Sequence, residues 1–248
     1  MHETIESDGL RLASHFARPP NTARVPGLVL CHGFPTGPRG GATSAATYPE
    51  LAERLARETG CAVLVFNFRG TGTSEGDFSL GGWLTDIRNA VDVMEQRDDV
   101  GSVYLAGSST GGSLAICHAA DDVRVRSVAT LAAPASFGEW AANPARLLED
   151  SRSLGIIRRA DFPADPEAWA AELTLVSPLA AAARLAPRAL LLIHGESDEV
   201  VPVSDGRALY EAAYGGSDLR VLAGAGHRLR HDPRALALLI GWLDRQSI

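Results

Sequence analysis

The chain has 248 residues, 46% of them hydrophobic, and a formal net charge of −7, a balance that suits one soluble α/β domain over 1–248 with a full core. No run approaches the ~20 apolar residues of a membrane span, and the acidic start Met1–Asp8 does not read as a signal peptide. No basic stripe offers nucleic acid a footprint, so the expectation is a cytoplasmic protein that handles a small molecule, with neither nucleic acid nor membrane as partner.

Thr4–Ile5 and Leu10–Ala17 read as short strands around the turn Ser7-Asp8-Gly9, an antiparallel leader. Gly27–His32 is a continuous apolar run, the pattern of a strand buried on both faces of a parallel sheet, and it ends in His32-Gly33-Phe34-Pro35. A strand that closes on His-Gly before a flexible loop is a place for a backbone oxyanion donor, here Phe34 N–H; for His32 itself, packing that shapes the turn is the alternative. The loop Thr36–Ala46 is long and rich in small residues, which predicts a wall of a substrate site. Arg39 in that loop is a candidate contact for an anionic substrate, with plain solvation as its competing reading.

Thr47 opens a helix on three signals: a capping-box pair with Glu50, Pro49 in the first turn, and Leu51 and Leu55 four apart; Gly60 closes it. Cys61–Phe68 is the next buried strand. The glycines of Arg69–Gly76 lack a P-loop lysine and the G-x-G-x-x-G spacing, so they predict a plain turn at the carboxyl edge of the sheet. Leu84, Ile87, Val91 and Met94 form one face of a helix over Trp83–Gln96. Cys31, Cys61 and Cys117 fall in or beside buried elements and read as apolar filler. The histidines have no metal-ligand spacing, and no metal is expected.

Val103–Gly112 then reads as strand, sharp turn and buried helix around Gly107-Ser-Ser-Thr-Gly111, the G-x-S-x-G arrangement with Ser109 at the tip as candidate nucleophile. Glycines at both flanks give the clearance a strained tip needs. The turn also sets Thr110 N–H, at the positive end of a helix, beside the serine oxygen as a second oxyanion donor.

After the strand Val125–Ala132, about fifty residues pass before Arg188–His194, well beyond a crossover of ~10–15. Asp165-Pro166 opens a helix there carrying Trp169, Leu173 and Val176, and Trp140, Leu147, Leu148, Leu154, Ile156, Ile157 and Phe162 add apolar surface. The expectation is a small helical cap over about 136–183, with Trp140, Trp169 and Phe34 forming an apolar acyl or aryl pocket. Core packing or a homodimer contact is the competing use of that surface.

Strand Ala189–His194 ends in Gly195-Glu-Ser-Asp198, and strand Leu219–Ala223 ends in Gly224-Ala-Gly-His227, which brings both polar residues to the same sheet edge as Ser109. Glu196 and Glu199 compete with Asp198, and His231 with His227; position after the strand favours the first of each. Ser204 caps the helix between, and Asp232-Pro233 opens a last helix bearing Leu236, Leu239, Ile240 and Leu243.

His32-Gly33-Phe34, Asn67–Ser74, Gly107–Gly111, His194–Asp198 with Val201-Pro202, and Gly224–His227 together resemble the α/β-hydrolase superfamily over nearly the whole chain. Within it the chain is similar to small carboxylesterases and feruloyl-type esterases with a short cap between the sixth and seventh strands. Its departure is the pair Ser108 and Thr110 beside the nucleophile, where histidine or aromatic neighbours are more usual. The resemblance implies an eight-stranded, mostly parallel sheet with an antiparallel edge, flanked by helices. It also implies a serine hydrolase that needs no cofactor and cleaves esters through an acyl-enzyme. Ser109, Asp198 and His227 would be its catalytic triad and the Phe34 and Thr110 amides its oxyanion hole. Amide or thioester substrates use the same machinery, and a non-catalytic small-ligand binder is the reading from another class.

Overall fold

Alternation of side chains along each central strand decides the layering. In β3 (Val25–Cys31) Val29 and Cys31 pack on one face while Leu28 and Leu30 pack on the other. β4 (Ala62–Phe66) divides Ala62, Leu64 and Phe66 from Val63 and Val65 in the same way. A strand that is apolar at every position must have both faces covered, and parallel strands with helical crossovers satisfy that. The computed structural model describes residues 2–20, 24–36 and 40–246; the Arg39 of the sequence reading lies outside them.

The strands form one eight-stranded sheet in the order β1-β2-β4-β3-β5-β6-β7-β8. β1 (His2–Ser7) and β2 (Leu10–Ala17) are the antiparallel edge, joined by Asp8 and Gly9, both at positive φ (51° and 76°). β5 (Val100–Ser108), β6 (Val125–Leu131), β7 (Leu190–Gly195) and β8 (Ser217–Leu222) continue the sheet in parallel from β3. The fold expected from the sequence is the one found.

One face is covered by α2 (Leu80–Glu95), α3 (Thr110–Asp121) and α8 (Val203–Ala212), the other by α1 (Tyr48–Thr59) and α9 (Pro233–Gln246). Trp83 of α2 is fully buried, stacked on Phe68 at 4.3 Å, with its indole N–H donated to the Arg69 carbonyl at 3.1 Å. α2 starts earlier than its apolar spacing suggests because Ser79 caps it, accepting from Gly82 N–H at 3.0 Å. Two expected caps are otherwise arranged. Thr47 does precede α1, but its hydroxyl makes no cap bond and instead accepts from Arg230. Ser204 lies inside α8, whose cap position is Pro202.

Between β6 and β7 run α4 (Gly138–Ala142), α5 (Pro144–Ser153), α6 (Pro166–Leu175) and α7 (Pro178–Leu185). α7 packs on α3 and α8 and so belongs to the covering layer, while α4 to α6 pack on one another with α6 also touching α2, and Phe137 and Trp140 reach the cavity beside Ser109. Asp165 caps α6 as expected, accepting from Ala168 N–H at 2.9 Å.

Candidate active site

Ser109 sits between β5 and α3 with φ 51° and ψ −129°, a conformation that costs a non-glycine residue free energy and persists only where its surroundings impose it. The flanking glycines show what imposes it. A Cβ on Gly107 would lie 2.5 Å from the Gly111 carbonyl oxygen, and one on Gly111 would lie 2.2 Å from that of His32. Ser109 N–H is held by the Leu131 carbonyl at 2.8 Å. Thr110, as the first residue of α3, has no carbonyl one turn earlier to receive its own N–H.

His32 organises the neighbouring loop. Phe68 N–H donates to its Nε2 at 3.2 Å, which assigns the proton to Nδ1, and Nδ1 donates to the Gly33 carbonyl at 2.8 Å. That carbonyl shares a peptide unit with Phe34 N–H. In a trans peptide the two point in opposite directions, so the bond from the ring to the carbonyl fixes the orientation of the Phe34 amide as well. Burial pushes the His32 imidazole down to about 4 and keeps it neutral in this role. Packing and shaping of the turn, the alternative weighed for His32, is what the structure shows.

Past β7, the Asp198 carboxylate is fully enclosed. Its Oδ1 accepts Val200 and Val201 N–H, both at 2.9 Å, and its Oδ2 lies 2.9 Å from His227 Nδ1. Glu196 and Glu199 are exposed, as is His231, so burial separates Asp198 and His227 from their sequence competitors. His194, which the sequence reading used only as a strand end, is buried beneath this turn. Its Nε2 is 2.9 Å from the Val201 carbonyl and 3.7 Å from Asp198 Oδ2. The repeated His-Gly at the ends of β3 and β7 was the available signal.

Ser109 and His227 border the same two cavities. One, of about 410 Å³, is walled by Phe34, Phe137, Trp140, Val200 and Pro202, with Thr110 at its base. The other, of about 260 Å³, is polar and lies against His32, Tyr48, Ser108, Arg228 and Arg230, with Thr36 and residues of the small-residue loop on its wall. Phe34 and Trp140, rings 4.9 Å apart, both line the larger cavity. Trp169 does not: it lines neither cavity, and its indole N–H is spent on the Phe78 carbonyl at 3.1 Å within the core. Phe137, stacked on Trp140 at 5.3 Å, takes the place in the wall that Trp169 was expected to hold.

All three cysteines are buried; burial pushes the Cys31 thiol above its usual range and that of Cys117 up to about 12, which suits those two to inert filler. Among the described residues no three metal-ligating side chains converge, and no helix is long and apolar enough to cross a membrane.

Comparison with known proteins gives this geometry its setting. The uncharacterized protein YfhR of Escherichia coli O157:H7 is 30% identical over 155 residues, 61% of this chain and 48% of YfhR, so the match spans about half the length of that relative. Among solved structures, Est1E from Butyrivibrio proteoclasticus superposes with a TM-score of 0.74 at 21% identity, covering 99% of this chain and 96% of its own. The esterase domain of a Rhodothermus marinus protein superposes with a TM-score of 0.72 at 22% identity, covering 100% and 97%. At such identities the likeness is one of fold. A sequence model of the alpha/beta hydrolase family matches residues 28–238, most of the sheet and every loop that builds the site, and the chain belongs to that family.

Proposed function

We propose that the protein is a serine hydrolase that cleaves carboxylic esters of small or medium acyl and aryl substrates through an acyl-enzyme. The observation that carries this reading is the enclosed Asp198 carboxylate on His227 Nδ1, with His227 and Ser109 bordering the same cavities. A serine hydroxyl is a weak nucleophile until a base takes its proton, and an imidazole whose Nδ1–H is held by a carboxylate offers Nε2 for that task. Ser109 Oγ attacks the ester carbonyl as its proton passes to His227. Phe34 and Thr110 N–H receive the oxyanion, His227 returns the proton to the leaving alcohol, and water repeats the sequence to free the acid and Ser109. The wall of Phe34, Phe137 and Trp140 receives the apolar part of the substrate. The esterase identity of a structural neighbour supports the choice of esters. No step calls for a cofactor or a second protein chain, and the reading suits a cytoplasmic enzyme.

The test is a panel of p-nitrophenyl and aryl esters together with a fluorophosphonate probe, applied to the wild type and to Ser109→Ala. The wild type turns over esters and is labelled, whereas Ser109→Ala folds with unchanged melting temperature and loses turnover by about 10⁴ or more. Wild-type turnover in the alanine variant removes Ser109 from the mechanism.

A further inference from the structure

Nothing in ester cleavage itself requires the character of the smaller arm of the site. None of its described lining residues is acidic, while Arg230 and Arg228 both face it, in a chain whose acidic residues outnumber basic ones by 30 to 23. The larger arm carries Glu139 and Asp205 instead. The cavity over Ser109 is therefore electrically lopsided, cationic on one side of the nucleophile and apolar to acidic on the other.

Arg230 is the built part of the cationic side. It is half-buried, donates one N–H to the Thr47 hydroxyl, and lays its guanidinium over the Tyr48 ring with 5.1 Å to the centroid. Nearby Arg234 closes on the Asp232 carboxylate at 2.7 Å. No carboxylate of the described residues comes within ion-pair reach of Arg230. Its other neighbours in the arm bring no negative charge either. Burial pushes the Tyr48 phenol up to about 12 and the His32 imidazole down to about 4, so both are neutral near pH 7. A guanidinium has five N–H donors in a planar fork. The hydroxyl and the ring face use little of that capacity, which leaves a partly desolvated cation turned toward a cavity beside the nucleophile. Arg228, exposed at the rim, adds a second positive charge on the way in.

We infer that this arm is a carboxylate subsite: the substrate esters carry an anionic group on one side of the scissile bond, received by Arg230 with Arg228 at the entrance, and an apolar or aryl group on the other. The inference rests on the ester-hydrolase reading for its substrate class, but the subsite itself is testable without turnover.

Two pairs of esters make the test. The adipate mono-4-nitrophenyl ester and its methyl ester place the charge on the acyl half, and 4-acetoxybenzoate and its methyl ester place it on the alcohol half. Calorimetric binding to the Ser109→Ala protein is read first. The charged member of one pair binds about tenfold tighter than its neutral partner, and the pair that shows this preference reports which half of the ester enters the arm. Adding Arg230→Gln abolishes the preference and Arg230→Lys restores part of it, since lysine keeps the charge without the fork. Because Arg230 also bridges to Thr47, salt gives a reading with no second substitution: the preference of Ser109→Ala shrinks as ionic strength rises. In the protein with Ser109 intact, the charged-to-neutral ratio of kcat/KM falls by the same factor in Arg230→Gln. Equal binding of charged and neutral members in both pairs, a preference insensitive to salt, or one that survives Arg230→Gln overturns the subsite. A binding preference that behaves as expected, in a wild type that cleaves none of the four esters, keeps the subsite and overturns the hydrolase reading.

Discussion

The carboxyl edge of the sheet and the insertion that roofs it are built on different length scales. At the edge each turn is shaped largely by local contacts: Asp198 is held by the amides of Val200 and Val201, Gly33 by the ring of His32, and the Ser109 turn has glycines two residues away on either side, while the bond from Asp198 to His227 joins two such turns. The roof is held by contacts between distant segments. Asp77 Oδ1 accepts the backbone N–H groups of Arg158 and Arg159 at 2.6 and 3.1 Å, and the Arg158 guanidinium donates to the carbonyls of Gly70, Gly72 and Ser74. Backbones meet there as well: a Cβ on Gly70 would lie 2.2 Å from the Ile156 carbonyl oxygen and one on Gly40 2.3 Å from that of Leu154. The difference teaches where substitutions act. Substitutions of the Ser109, Asp198 and His227 side chains are expected to alter the rate of chemistry with little cost to the fold, whereas changes in the roof alter stability unless the side chain faces the cavity.

The largest expected effect tests the edge. In Asp198→Asn, Oδ1 still accepts the two amides, but the amide nitrogen confronts His227 Nδ1 and favours the wrong tautomer. The expected outcome is a fall in kcat of about 10⁴, with the melting temperature changed by little. A loss of less than tenfold moves the orienting role away from Asp198. The next effect, in the roof, separates two tryptophans of the same insertion. Trp169→Ala empties a buried site and orphans the Phe78 carbonyl, which costs about 3–5 kcal/mol in denaturant unfolding. Trp140→Ala, half-buried on the cavity wall, costs far less stability and instead raises KM for aryl esters relative to acetyl esters. If the two variants exchange these signatures, the division between wall and core is misplaced.

The same difference in scale explains which features were legible in the sequence. Strand-ending turns announce themselves within five or so residues, so Ser109, Asp198, His227 and the His32-Gly33-Phe34 loop stood out as candidates, which the fold gathers at one edge, and the eight strands followed from apolar runs and their alternation. Partnerships between remote segments leave no such trace. The Thr47 capping box looked complete by spacing, but Arg230, 183 residues away, claims the hydroxyl. Trp169 carries the composition of a pocket residue, and only the position of Phe78 reveals that its indole is committed to the core. The glycines of Arg69–Gly76 do form a turn, but Gly70 has a deeper reason, the close approach of the Ile156 backbone in the roof, which no local pattern encodes.

Acid sharpens the comparison further, because the insertion between β6 and β7 contains no histidine while the edge buries His32 under the Gly33–Phe34 loop. The folded protein holds His32 at about 4 against 6.5 for the free side chain, chiefly through burial. Between those values the unfolded chain binds a proton that the folded one refuses, so stability is full above about pH 6.5 and falls as the pH drops toward 4. The loss from this one group by pH 4 is about 3 kcal/mol. His118, also shifted down by burial, contributes with the same sign from the far end of α3. Denaturant midpoints measured from pH 7 to pH 4 follow that slope, and amide exchange near pH 5 shows where it acts. Protonated Nε2 can no longer accept from Phe68 N–H, so protection falls first at Phe68 and in the Gly33–Phe34 loop, ahead of the amides of Arg158 and Arg159 in the roof. A flat stability profile over this range, or loosening that begins in the roof, removes His32 as the group that couples protonation to the Gly33–Phe34 loop.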